Sequence, residues 1–194
     1  MVVKNIKEVI DALINDFSYE ERIEFDKSFD KTLIFKTLSS KTELDAGELF
    51  LMGELYFSGI GVEKDNLKSF EYYNKALDLG VKKAAQEIAG FYIDGIYVKQ
   101  DTDEAKKYFE IAAEAGYAFS WYNLAMIYMS GMGSTPKDEA KAVECLKKAA
   151  KIGFRKAMEA IGKCYFNGVG VERNEEESEK WFAMAYGDDW YFRD

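Results

Sequence analysis

Small and aromatic residues recur along most of the chain at three- and four-residue spacing, and glycine-containing segments interrupt them at regular intervals. In four of these interruptions a tyrosine stands three residues before a glycine: Tyr56–Gly59, Tyr92–Gly95, Tyr128–Gly131 and Tyr165–Gly168. Successive tyrosines are 36, 36 and 37 residues apart. Because the apolar spacing predicts helices and a fixed period predicts a repeat array, we expect a stack of helical units.

Each period predicts two helices joined by a tight loop. A small residue three positions before each tyrosine lets the second helix approach closely. These small residues are Gly53, Ala89, Ala125 and Gly162. The glycine after each tyrosine is expected in the left-handed conformation that ends a helix. Paired bulky residues mark the second helices: Tyr72-Tyr73, Tyr108-Phe109, Cys145-Leu146 and Trp181-Phe182.

Polar residues at the end of each loop predict where the second helix begins, because their side chains can accept hydrogen bonds from its first turn. In three periods the predicted caps are Asp65, Asp101 and Asn174. Glu104 and Glu177 stand three residues after two of these caps, as in a capping box. In the third period we expect Thr135 to precede the helix, with Pro136, the only proline, at the first helical position.

The repeated pattern L-G-x-x-Y-x-x-G-x-G-V-x-x-D-x-x-K-A-x-x-Y-Y-x-K-A-A-x-x-G resembles the Sel-like repeat, a relative of the tetratricopeptide repeat with a longer loop. The resemblance implies an all-α, right-handed α/α solenoid. It covers four units at about residues 45–80, 81–116, 117–153 and 154–187. Two units depart from the pattern, since the first holds only Ala76 of the paired alanines and the third has Cys145-Leu146 in place of the aromatic pair.

The two ends of the chain do not follow the period. Residues 1–44 lack the glycines, and we predict that they form a helical hairpin that caps the first repeat. Its first helix is indicated by the stripe Val2, Val3, Ile6, Val9, Ile10, Leu13 and Ile14, and its second is expected to begin at Ser18–Glu21 and run toward Leu33. Residues 188–194 include Trp190, Tyr191 and Phe192, which either cover the last repeat or form a docking peptide.

Charge and composition narrow the function class. The formal net charge is −9 without a long block of one sign, which disfavours a nucleic-acid surface. The first residues mix apolar side chains with lysine, glutamate and aspartate, so they predict neither a signal peptide nor a membrane span. Two cysteines fit a reducing compartment. We therefore expect a cytoplasmic protein.

The sequence offers little for catalysis. It has no histidine, which excludes histidine bases and histidine metal ligands, and we expect no catalytic residue, metal site or cofactor. Ser28 and Lys31 match the S-x-x-K spacing of serine acyl-enzymes, but no K-T-G accompanies them. Secreted, cysteine-rich members of the Sel-like repeat family pair a cysteine of each first helix with one of the second helix, and they have been linked to penicillin binding. Here Cys164 stands at the first position, whereas Ala185 occupies the partner position.

The resemblance also implies that the first helices line a concave face that binds partners. Counted from the small residues, the expected binding residues are Phe50, Glu54, Gln86, Phe119, Tyr122, Met126, Glu159 and Lys163. Methionine and tyrosine suit an adaptable recognition surface, but the same residues suit additional core. Both interpretations remain open for Phe50, Phe119, Tyr122 and Met126.

We therefore predict a non-catalytic interaction module or adaptor that binds a protein or peptide, without nucleic-acid binding or membrane insertion. One alternative is an acidic protein that neutralises a toxin by masking a basic active site. A second alternative is a penicillin-binding hydrolase like the cysteine-rich family members. The sequence does not identify the partner, the pathway or the oligomeric state.

Overall fold

The computed structural model describes residues 6–14 and 31–187, and these residues form ten helices and no strand. The chain divides into two compact units, Met1–Gln100 and Asp101–Asp194. The helices of the first unit are α1 (Ile6–Ile14), α2 (Lys31–Ser39), α3 (Ala46–Ser58), α4 (Asn66–Asp78) and α5 (Lys83–Asp94). Those of the second unit are α6 (Thr102–Glu114), α7 (Ala118–Ser130), α8 (Glu139–Lys151), α9 (Arg155–Asn167) and α10 (Glu175–Tyr186).

The N-terminal helices pack on the first repeat, as their apolar stripes require. Val9 and Ile10 of α1 and Ile34 and Leu38 of α2 are buried in one cluster with apolar residues of α3. The expected start of a helix at Ser18–Glu21 and the residues Val2, Val3 and 188–194 lie outside the described residues. The helix that the structure describes next, α2, includes Leu33 and continues to Ser39.

Helix–loop–helix pairs repeat with the same local geometry. The first helices α3, α5, α7 and α9 each end at a glycine with φ between 66° and 70°: Gly59, Gly95, Gly131 and Gly168. Three of the repeated tyrosines accept, at their backbone carbonyls, a hydrogen bond from the residue that caps the next helix, at 3.0 Å for Tyr56, 2.8 Å for Tyr128 and 2.9 Å for Tyr165. The period in the sequence therefore corresponds to a repeated geometry at the end of each first helix.

The small residues in the first helices permit close helix packing. Each second helix packs against its own first helix in the pairs α3–α4, α7–α8 and α9–α10. A Cβ atom added to Gly53 would lie 2.7 Å from the Tyr73 ring, and one added to Gly162 would lie 3.1 Å from the Phe182 ring. The second member of each bulky pair is thus the one that contacts the small residue at these two positions.

The caps differ from the prediction in one repeat. Asp65, Asp101 and Asn174 accept backbone hydrogen bonds from the first turns of α4, α6 and α10, as expected. In the third repeat the prediction was wrong, because α8 begins at Glu139 and its cap is Asp138, which accepts from the Lys141 N–H at 3.0 Å. The loop of this repeat is one residue longer, so Thr135 and Pro136 lie ahead of the helix.

Two further local features were not predicted. The described caps include one complete capping box, which joins Asp45 and Glu48 at the start of α3 rather than the expected pairs of α6 and α10. In the second repeat Tyr97 adopts φ 65°, where the other loops have Gly61, Gly133 and Gly170. Its ring packs 5.8 Å from that of Phe70.

Candidate functional site

Helix α7 presents three of the predicted binding residues. Its sequence, AFSWYNLAMIYMS, contains no charged residue, and apolar side chains occur all around the helix. Leu124, Ala125 and Ile127 are buried. Phe119 lies on another side and is 42% exposed, while Tyr122 and Met126 are half-buried. Helix α7 therefore contributes one side to the core and leaves the Phe119 side chain partly exposed among the described residues.

The start of α9 extends this apolar surface. Phe154, the N-cap residue of α9, places its ring 5.4 Å from Tyr122 and 6.2 Å from Phe119, in edge-to-face geometry with both. Such aromatic pairs hold one another in position. We call the residues Phe119, Tyr122, Met126, Phe154, Glu159 and Lys163 the α7–α9 surface.

Glu159 and Lys163 border the aromatic rings with charge. They lie one turn apart on α9 and form an ion pair. The hydrogen bond from Lys163, together with an interaction with Tyr186, lowers the pKa of Glu159. Glu159 in turn raises the pKa of Lys163, to which Tyr186 and Tyr122 also contribute. The Lys163 side chain is exposed and that of Glu159 is half-buried, so the pair adds little to folding stability but supplies polar groups beside an apolar centre.

The predicted residues of the first unit are arranged differently. Phe50 is only 1% exposed, with its ring 5.5 Å from that of Tyr73. Of the two interpretations left open for Phe50, its burial supports additional core and not an exposed binding residue: the Tyr73 ring packs over Gly53, and the Phe50 ring packs beside it.

Glu54 and Gln86 belong to a mostly internal polar network. The Tyr73 hydroxyl donates a hydrogen bond to Glu54 Oε1 at 2.8 Å. Gln86 is buried, and its Nε2 donates to Glu87 Oε1 at 3.3 Å. Burial raises the pKa of Tyr73 well above its ordinary value, and the nearby charges of Glu54 and Glu87 raise it further. This network positions side chains between helices and offers little open surface.

The described residues provide few groups for chemistry. No cluster of three or more cysteine, aspartate or glutamate side chains within them could hold a metal ion. Cys145 and Cys164 are buried free thiols, and burial raises the pKa of both. Ser28 lies outside the described residues. Among the helices that are described, none is long and apolar enough to cross a membrane.

Phe154 belongs to the α7–α9 surface but was not predicted from the sequence, because it precedes α9 and the predicted binding residues all lie within first helices. Tyr186, which contacts the charged border of this surface, ends α10 and was not predicted either. The sequence does contain a signal for Phe154, because an aromatic residue directly follows the glycine that closes a repeat in both Gly116-Tyr117 and Gly153-Phe154.

The sequence matches the family model described as "Sel1 repeat" at residues 49–81, 83–117, 120–154 and 155–187. Among solved structures, the chain is similar to a Sel1 repeat protein from Oxalobacter formigenes, with 25% identity, a TM-score of 0.76 and coverage of 88% of this chain and 70% of that one. It is also similar to a protective antigen of uropathogenic Escherichia coli with an SLR fold, with 25% identity, a TM-score of 0.71 and coverage of 79% and 32%.

Two curated relatives are fungal regulators. A chitin synthase regulatory factor of Schizosaccharomyces pombe is 29% identical over 87% of this chain and 14% of its own length. A chitin synthase regulator of Saccharomyces cerevisiae is 31% identical over 76% of this chain and 22% of its own length. The chain thus spans less than a quarter of these relatives.

Proposed function

The chain belongs to the Sel1 repeat family, and from that premise we propose that it is a non-catalytic adaptor which binds a partner protein or peptide through the α7–α9 surface. Proteins of this family are generally interaction modules, and most are helical repeat scaffolds without catalysis. The fungal relatives are named as regulators, a role that fits such scaffolds.

The observation that supports this proposal best is the cluster of Phe119, Tyr122 and Phe154. Its rings pack against one another, yet Phe119 remains 42% exposed. Aromatic residues that are held in place lose little conformational freedom on binding and dominate the energy of protein interfaces. Glu159 and Lys163 form a polar border beside the aromatic rings, and protein interfaces typically have an apolar core surrounded by a polar rim.

We also propose a cytoplasmic location. Cys145 and Cys164 are both free thiols, a state that a reducing compartment maintains.

The test separates binding from folding by changing Tyr122 to alanine in the full chain. At an interface, such an anchor typically contributes about 2 kcal/mol or more to binding. In a packed core, loss of a large aromatic side chain costs about 3–5 kcal/mol of folding stability. The melting temperature and the proteins captured from the native lysate are measured together, and the captured proteins are identified by mass spectrometry.

The matched control is Ile111→Ala, which truncates another partly exposed apolar residue of the same unit, on α6. The proposal requires that Tyr122→Ala abolish a capture that Ile111→Ala retains, with similar melting temperatures for the two variants. A large fall in melting temperature for Tyr122→Ala would assign the residue to the core. An unchanged set of captured proteins would remove the α7–α9 surface as the binding site.

A further inference from the structure

The charges beside the α7–α9 surface have the opposite sign to the chain as a whole. The chain has a formal net charge of −9. Helix α7 has no charged residue, and α9 has Arg155, Lys156 and Lys163 against one acid, Glu159. The two helices together are therefore positive, although the protein is acidic.

One of these cations, Lys156, has no carboxylate partner within the described residues. Glu159 is already paired with Lys163. Lys156 is exposed and forms no ion pair with any residue that the structure describes, whereas Arg155 places its guanidinium 6.0 Å from the Tyr186 ring and also interacts electrostatically with Glu159. Both residues lie in the first turn of α9, where the helix dipole disfavours positive charge. The contacts of the described residues therefore account for Arg155 but not for Lys156.

The cations and the aromatic cluster are adjacent. Phe154, whose ring contacts Phe119 and Tyr122, directly precedes Arg155 and Lys156 in the chain. At the other end of the surface, Lys163 interacts electrostatically with Tyr122. An occupant of the apolar cluster that reached the first turn of α9 would therefore meet Arg155 and Lys156, and it would also lie near Lys163 beside Tyr122.

We propose that the partner segment bound by the α7–α9 surface is acidic and amphipathic, with apolar side chains on the aromatic cluster and carboxylates facing Arg155 and Lys156. This inference rests on the proposed function and specifies the chemistry of the partner. Charge complementarity of this kind accelerates association and excludes partners of the wrong sign. A nucleic acid would also offer negative charge and stacking bases, but the net charge of −9 opposes a long polyanion.

Selection from a random dodecapeptide phage library on the immobilised full chain tests the proposal. The selected peptides are then measured against the wild type, Tyr122→Ala, and a double variant with Arg155→Glu and Lys156→Glu. Because glutamate is favourable in the first turn of a helix, the double variant should remain folded. The control with the same net charge is Lys99→Glu with Lys151→Glu, since both lysines are exposed and lie outside the α7–α9 surface.

The expected peptides are enriched in aspartate, glutamate and large apolar residues, and they lose affinity on Tyr122→Ala. Their affinity should fall about ten-fold or more for the Arg155 and Lys156 double variant at low salt, and much less for the control. Added salt should weaken wild-type binding.

Other outcomes overturn the inference in distinguishable ways. Peptides that require Tyr122 but show no acidic bias, or that tolerate the double variant, would refute the acidic partner and leave the proposed function standing. Failure to select any Tyr122-dependent peptide would refute the surface itself. Tyr122-dependent binding of a fluorescent single-stranded oligonucleotide, in competition with the peptides, would assign the surface to nucleic acid instead.

Discussion

Adding one methyl group at Gly53 should destabilise the first unit, even though alanine is the better helix former. A Cβ atom there would lie 2.7 Å from both Cδ1 and Cε1 of Tyr73, well inside the usual carbon–carbon contact of about 3.5–4.0 Å. The Tyr73 ring has little room to move, because it is 1% exposed, lies beside the rings of Phe50 and Phe91, and donates its hydroxyl hydrogen to Glu54.

The expected magnitude follows from two opposing effects. Overpacking of a well-packed core typically costs about 1–3 kcal/mol. Replacing glycine by alanine in a helix interior gains about 1 kcal/mol. Gly53→Ala should therefore lower the free energy of unfolding by about 1 kcal/mol, and by no more than about 2 kcal/mol.

Gly90→Ala is the matched control. Gly90 lies inside α5 of the same unit, and a Cβ atom there would have no neighbour within 4 Å. This variant should be stabilised by about 0.5–1 kcal/mol. Thermal and urea unfolding should then rank Gly90→Ala above the wild type and Gly53→Ala below it. If Gly53→Ala is stabilised as much as Gly90→Ala, the close packing of Tyr73 on Gly53 is wrong.

The remaining predictions concern caps, pH and thiols. Asp138→Ala should lower the melting temperature, whereas Asp138→Asn should largely preserve it, because asparagine also caps helices; equal losses would contradict the cap. Backbone hydrogen bonds lower the pKa of Asp65, Asp103 and Asp138 in the folded protein. The stabilisation of the fold by these carboxylates is therefore fully present above their unfolded-state pKa near 3.9, and it is lost as the pH falls through their folded-state pKa values. Urea midpoints should therefore decrease on acidification below about pH 4, and less steeply for Asp138→Asn. Burial raises the pKa of Cys145 and Cys164, so both thiols should react slowly with a thiol reagent in the native protein and rapidly in urea; rapid native reaction would contradict their burial.

The local structure of the repeats could be predicted because several independent residues agree in each period. Gly59 and its equivalents end helices in the left-handed conformation, which other residues adopt at a cost. Asp65 and its equivalents begin the next helices. The same reasoning gave a wrong helix start in the third repeat, where the loop is one residue longer. The proline suggested that α8 begins at Pro136, whereas Asp138 accepts the capping hydrogen bond and α8 begins at Glu139.

The candidate surface was less predictable, because exposure depends on side chains from other helices. A helical wheel places Phe50 and Tyr122 at equivalent positions, three residues before Gly53 and Ala125. In the structure Tyr73 buries Phe50, whereas Tyr122 packs on Phe154 and stays half-buried. Neither neighbour follows from the periodicity of a single helix.

Site-specific photocrosslinking shows whether the α7–α9 surface binds a partner protein. A photoreactive phenylalanine analogue is placed at Phe119 and, in a separate variant, at Ile111, whose side chains are 42% and 37% exposed. After irradiation of the native cells, we expect a discrete crosslinked protein at position 119 and none at position 111. A crosslink at position 111 alone, or the same products at both positions, would show that the α7–α9 surface is not the binding site.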